Sequence, residues 1–260
     1  MSFPSVIFGD YGDEKTAQST KIGNLPLGME MTLPDGRRFA HAQASAALGA
    51  GVIVGTIAGT VGHGNGSTFG LIASATATYN AVGDTTVRVA CVSAAATLDQ
   101  YADGFVNVQK SAGIGEVYRV KSNKVAASTG VELEIELYPQ DALKTAWTAG
   151  STTIALRKSP YKDATVYSTS AAVGPVMGVT PTAISANFYF WVQRKGPAGV
   201  RCAVIMTDGV PVVASSTVSG SAMPAISAYQ VANLYGSQHI GKAMNACAST
   251  EAALVDLTLV

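Results

Sequence analysis

Gly236-Ser237-Gln238-His239-Ile240-Gly241-Lys242 has the spacing of a phosphate-binding loop as far as its lysine. Such a loop cradles phosphates on backbone N–H groups, and the Ser or Thr after the lysine holds magnesium. Here that position is Ala243, and no alternation of strands with long helices sets the loop above a parallel sheet. The match is read as chance. Gly62-His63-Gly64-Asn65-Gly66 has half of a dinucleotide fingerprint, but no helix-forming run or spaced acid completes it, so it reads as a loop tip. His41, His63 and His239 stand alone, none at i, i+4 and none beside a cysteine, which leaves zinc without a local scaffold. No GxSxG elbow marks a nucleophile, and no carboxylate pair is singled out for glycosidase chemistry. The expectation is no enzyme, no catalytic residue, no cofactor and no metal.

One row of acids needs an account. Val131-Glu132-Leu133-Glu134-Ile135-Glu136-Leu137 alternates with a period of two, which puts three glutamates on one face of a strand and aliphatics on the other. A calcium site needs oxygens converging from a bent loop, so a flat strand is a poor scaffold. Val117 to Lys121 offers the alternative. Arg119 and Lys121 share a face at the same period, and pairing the two strands antiparallel through residues 122–130 sets bases against acids.

The elements around these residues read as strands. Met29 to Leu33, then Pro34-Asp35-Gly36, then Arg37-Arg38-Phe39 predict a hairpin, since proline presets a turn dihedral and glycine accepts positive φ. Thr85 to Val92 and Phe105 to Val108 alternate, with turns at Gly83-Asp84, Asp103-Gly104 and Gly113-Ile114-Gly115. Phe188 to Gln193 predicts an aromatic strand, with a turn at Lys195-Gly196-Pro197 and a return strand from Val200 to Thr207. Leu254 to Leu259 predicts a last strand with Asp256 and Thr258 outward. The fold class expected is all-β, an N-terminal extended arm followed by one or two β-sandwich or barrel-like units. Its divisions are residues 1–45 (arm with hairpin), 46–165 (β domain) and 166–260 (a second β domain or second half of the same unit).

No formal charge lies between Arg38 and Asp84, and Gly51, Gly55 and Gly59 repeat at the GxxxG spacing of some membrane helices. Glycine interrupts the few strong inserters throughout, so the stretch reads instead as a short helix over Ala42 to Ala50, ended by Gly49 or Gly51, followed by a β segment from Val52 to Thr60.

Composition bears on partners. Charged residues make up 13% of the chain, against about 25% in typical soluble domains, and the mean hydropathy is +0.26. Small uncharged side chains suit surfaces that another protein will cover. Seventeen bases balance seventeen acids without a Lys/Arg cluster, so neither nucleic acid nor a membrane is expected as a partner. Cys91, Cys202 and Cys247 are far apart and read as small apolar residues of a reduced chain. Met1-Ser2-Phe3-Pro4 does not begin a secretory signal, having no positive region followed by an apolar run.

Leu27-Gly28, then Leu33-Pro34-Asp35-Gly36-Arg37-Arg38-Phe39 and an Ala-rich stretch, resemble the N-terminal part of structural proteins of tailed-bacteriophage particles. So do Tyr101-Ala102-Asp103-Gly104 with Val117-Tyr118-Arg119-Val120, Tyr189 to Gln193 with Gly196-Pro197-Ala198, and Val255-Asp256-Leu257. In composition the chain is similar to capsid decoration, or cement, proteins. The resemblance implies a virion component on the capsid exterior, made in the host cytoplasm. Its partners would be major capsid protein and further copies of itself, with a homotrimer expected. Arg37, Arg38 and Phe39 are the interface candidates, a charged pair and an aromatic at the junction of arm and body. The alternative is that Phe39 packs under the hairpin while both arginines are solvated. A second role, as a tail, baseplate or spike subunit binding a receptor or glycan, would need exposed aromatic platforms, with Trp147 and Trp191 as candidates.

Overall fold

A computed structural model of the chain describes residues 6–22, 25–57, 69–70, 80–90, 95–127, 132–148, 151–169, 173–225 and 238–259. Their regular structure is β apart from two single-turn 3-10 helices, Asp13–Lys15 and Pro139–Asp141. The chain forms two compact units, one from residues 1–58 and 160–260 and one from residues 59–159. These limits differ from a division at 45 and 165. The N-terminal strands hydrogen-bond into the same sheet as the C-terminal ones, so residues 1–45 are part of a unit and not a separate piece.

The first unit begins with β1 (Val6–Phe8), β2 (Glu30–Thr32), β3 (Arg38–Gln43) and β4 (Ile53–Ile57). The second unit holds β5 (Phe69–Gly70), β6 (Thr86–Ala90), β7 (Phe105–Lys110), β8 (Val117–Asn123), β9 (Glu132–Leu137) and β10 (Thr153–Arg157). The chain then returns to the first with β11 (Ala164–Val166), β12 (Val173–Val179), β13 (Tyr189–Arg201), β14 (Pro211–Ala214), β15 (Ala222–Pro224), β16 (His239–Ala243) and β17 (Ala252–Thr258).

In the first unit the strand order is β1-β2-β3-β13-β17-β16-β14-β15, and β12 joins β13 while pairing with β4, which also pairs with β11. The expected hairpin is present as β2 and β3, with Met31 opposite Phe39 and Gly36 at a φ of 83°. Its apolar face, Met31, Leu33 and Phe39, packs on Trp191. The C-terminal strand is also present. β17 alternates along its length, with Ala253, Val255 and Leu257 buried and Asp256 and Thr258 exposed.

Two expectations fail here. The turn at Lys195-Gly196-Pro197 is absent, because β13 runs straight through it for 13 residues. Gly196 spends its positive φ of 83° beside a register shift between Gln193 and Lys195, so the strand passes from β3 to β17 without reversing. Pro197, which has no N–H to give, sits within the β17 ladder opposite Asp256. The short helix over residues 42–50 is absent too. Ala40 and Ala42 lie buried on β3, and Ala44 and Leu48 continue as isolated bridges to Ala164 and Ile184. Alanine's small side chain admits close backbones in a sheet as readily as it favours a helix, and the neighbouring strands decide. Of the β segment expected from Val52 to Thr60, β4 forms Ile53–Ile57 and residues 58–60 lie outside the described residues, and no helix of the described residues is long and apolar enough to cross a membrane.

In the second unit the order is β5-β10-β7-β8-β9-β6. Its first and last strands, β5 and β6, come close to each other without pairing among the described residues. Alternation gives it a filled interior. Val106, Tyr118, Val120, Leu133, Ile135 and Leu156 all point into one core.

Candidate functional site

The first unit carries a cleft of about 670 Å³. One wall is the turn Asp13–Lys15, which presents Glu14 and Lys15 beside Arg37 from the end of the hairpin. Thr180, Gln193, Arg201, Glu251 and Leu254 also line it. Glu14 is buried, and its Oε2 accepts the Gly12 N–H at 2.6 Å. Glu14 Oε1 lies 3.6 Å from Arg37 Nη2.

Arg37 is held more closely by its own turn. Its Nε donates to Asp35 Oδ2 at 2.7 Å and its N–H to Asp35 Oδ1 at 3.0 Å. Desolvation pulls the Asp35 carboxyl pKa upward, but these bonds and the guanidinium charge outweigh it and hold the carboxyl below its ordinary value. Arg201 Nε donates to Ala50 O at 3.0 Å, and its backbone N–H to Gly51 O at 2.9 Å. An added Cβ at Gly49 would lie 2.8 Å from Arg201 Nη2, the far end of a flexible side chain that would have to shift.

Two of the polar lining residues, Thr180 and Gln193, are committed to the fold. Thr180 Oγ1 donates to Gly49 O at 2.6 Å and accepts the Val52 N–H at 3.0 Å. Gln193 Nε2 donates to Pro197 O at 2.8 Å, which braces the irregular step of β13. The cleft is therefore lined by charged residues, by polar groups already satisfied by the fold and by the half-exposed Leu254. Such a surface suits contact with polypeptide, with charge at the rim and apolar area beside it.

The three interface candidates are distributed differently. Arg37 lines the cleft and Arg38 is exposed. Phe39 is fully buried, and this corrects its assignment to a contact surface. It alternates with Arg38 along β3 and so takes the core side, against Met31, Leu33 and Trp191. The arginine guanidinium of Arg37 lies 5.7 Å from the Phe39 ring centroid, capping it from outside. Trp147 and Trp191 are buried as well, at 6% and 5% exposure, so neither is a platform for a glycan or receptor. Trp147 packs edge-on against Tyr118 with 5.9 Å between ring centroids.

The glutamate row of the second unit is neutralised by bases. Lys121 Nζ lies 2.6 Å from Glu136 Oε1, as the alternation of β8 and β9 predicts. Arg119 departs from that scheme because it stands opposite Tyr138, past the end of the glutamate row. Its guanidinium lies over the Tyr138 ring instead, and its N–H donates to Asp141 Oδ2 at 2.6 Å. The other bases are Lys124, 2.6 Å from Glu134 Oε1, and Arg88 on β6, which reaches Glu132 and Glu134 at 2.9 and 3.0 Å. The hydrogen bond from Lys124 is the main cause that holds the Glu134 carboxyl below its ordinary pKa, and those from Lys121 and Ser122 do the same for Glu136.

The remaining motif residues do not converge. His41 is buried on β3, stacked on Tyr189 and tilted against Trp191, whereas His239 is exposed on β16. His63, the glycine loop at 62–66, Gly236 and Ser237 lie outside the described residues. Gly241 serves the sheet, since a Cβ there would lie 2.1 Å from Asp256 O on β17. The buried Asp103 accepts the Tyr138 hydroxyl at 2.9 Å, and burial, with Asp103 adding to it, pushes that phenol up to about 12. No group of three or more His, Cys, Asp or Glu that could hold a metal occurs among the described residues.

Glu14, Thr180 and Glu251 carry no sequence signal for a cleft. Each belongs to a turn or a strand end whose partner is more than 20 residues away in sequence. Comparison with protein-family models, with curated proteins and with solved structures returns no match.

Proposed function

We propose that this chain is a structural subunit of a tailed-bacteriophage particle, bound on the capsid exterior to major capsid protein and stabilising the shell. It works as a decoration protein, self-associated as a trimer. The observation that carries this reading is at the edge of the first unit. Phe8 and Tyr11 are 85% and 64% exposed, and β1 ends the strand order, with only β2 beside it among the described residues. An open edge with large apolar side chains invites a neighbouring chain, and natural proteins seldom leave one uncovered. The cleft beyond the hairpin adds a charged rim that would fix the docking register.

Support also comes from the all-β architecture and from the order of short segments similar to phage structural proteins. Burial of apolar area would drive attachment, at about 25 cal/mol per Å² before ordering costs.

The test is to mix the purified chain with empty shells of major capsid protein from its own phage, then sediment and image them. A defined copy number per hexamer is expected. Chain left in the supernatant, or density at a single vertex or along a tail, would overturn the assignment.

A further inference from the structure

We propose that Cys202 and Cys247 are a built oxidation site, which closes to an intrachain disulfide when the protein meets a small-molecule disulfide. The two thiols are free and their sulfurs lie 2.6 Å apart, little beyond the roughly 2.05 Å of a covalent S–S bond. Their spacing of 45 residues hides this from the sequence.

The backbone holds them together from both sides. Cys202 N donates to Glu251 O at 2.8 Å, and Thr250 N donates to Cys202 O at 3.0 Å. Met206 and Cys247 exchange both of their backbone bonds, at 3.0 and 3.1 Å. Residues 202–206 are thus laced to residues 247–251, and the bond can form without a change of fold. Cys202 is 2% exposed, while Cys247 is only half-buried. That asymmetry assigns the order of events.

The Cys247 thiolate, reached by solvent, attacks one sulfur of oxidised glutathione and releases one glutathione thiolate. The Cys202 sulfur then gives up its proton and attacks Cys247 Sγ of the mixed disulfide. This forms the Cys202–Cys247 bond and releases the second glutathione. Two protein thiols are oxidised, and one glutathione disulfide is reduced to two thiols. Burial, and then the hydrogen bond to Cys247, push the Cys202 thiol up to about 12, so closure quickens as pH rises. The bond ties the end of β13 to the β16–β17 connection and encloses β14, β15 and β16 in one covalent loop. Unlike the decoration role, this reading needs no partner.

Tryptic cleavage after Arg88, Lys110, Arg201 and Lys242 places Cys91, Cys202 and Cys247 on separate peptides, 89–110, 202–242 and 243–260. The reduced full chain is incubated with oxidised glutathione, alkylated, digested and weighed. The expected product is 202–242 joined to 243–260, lighter by two hydrogens than the free pair, with 89–110 alkylated. Recovery of either peptide alkylated or still carrying glutathione, or a link to 89–110, would overturn the proposal. Oxidation should also raise the melting temperature of the wild-type chain and leave that of Cys247→Ser unmoved. An equal rise in both would count against it.

Discussion

Arg88 on β6 stands directly across from Glu134 on β9, with Nη2 3.0 Å from Glu134 Oε2. Its other terminal nitrogen holds Glu132, so one guanidinium spans two of three aligned carboxylates. Without it, like charges two residues apart on one face would repel across a flat surface. Arg88→Ala should therefore cost about 1 kcal/mol, the worth of two partly exposed pairs. Urea unfolding of the two chains at low and high salt measures it. The gap should narrow as salt screens the charges, and a gap unmoved by salt would assign the loss to packing.

The same ladder predicts an acid limit. Glu134 and Glu136 have folded pKa values below their ordinary 4.5. A depressed folded pKa stabilises the protein fully above the unfolded value, and the benefit disappears as pH falls through the folded one. The melting temperature should hold from neutrality to about pH 5 and fall below it. Lys124→Met, which removes the chief cause of the Glu134 shift, should flatten that fall. Melts from pH 7 to 3 that superimpose for both chains would refute this.

How much of this was legible in the residues depends on what alternation reports. A period of two gives the buried side of a strand, so β9, β17 and the β2–β3 hairpin were readable, as was the antiparallel pairing of β8 with β9 that sets a base against the glutamate row. It does not name the strand that lies alongside. Arg88 was therefore missed as a partner of two of the glutamates, and Arg119 stands opposite Tyr138, past the end of their row. Gly196-Pro197 was misread because a glycine at positive φ serves a bulge as well as a turn, and only the partners on either side distinguish them. The cleft was not legible at all. Glu14, Thr180 and Arg201 meet through three connections whose course no local pattern records.

Arg38 and Phe39 are adjacent in sequence and opposite in role. Phe39→Ala should destabilise the first unit by about 3–5 kcal/mol, as for other buried aromatics, through the cavity left beside Met31 and Trp191. Arg38→Ala should stay within about 0.5 kcal/mol of wild type. Arg38→Ala is therefore the clean probe of the surface, and it should lower the occupancy of shells without lowering the melting temperature. Unchanged occupancy would remove Arg38 from the interface, and a lower melting temperature would give it a structural role.

Two glycines on strands flanking β17 should respond in opposite directions to the same change. At Gly241 on β16 an added Cβ would sit 2.1 Å from Asp256 O, a backbone atom that cannot move without separating β16 from β17. Gly241→Ala should cost about 3 kcal/mol or more, at the upper end of overpacking. At Gly199 on β13, opposite Leu254, a Cβ meets nothing within 4 Å and the backbone carries no positive φ. Gly199→Ala should be neutral or stabilise by up to about 1 kcal/mol, because alanine restricts the unfolded chain more than glycine does. Gly199 also lines the cleft, so the new methyl narrows it without weakening the fold. If the cleft takes part in attachment, Gly199→Ala should bind shells less well while melting no earlier than wild type. Equal binding by a stable Gly199→Ala would place attachment on the β1 edge, where Phe8 and Tyr11 stand exposed.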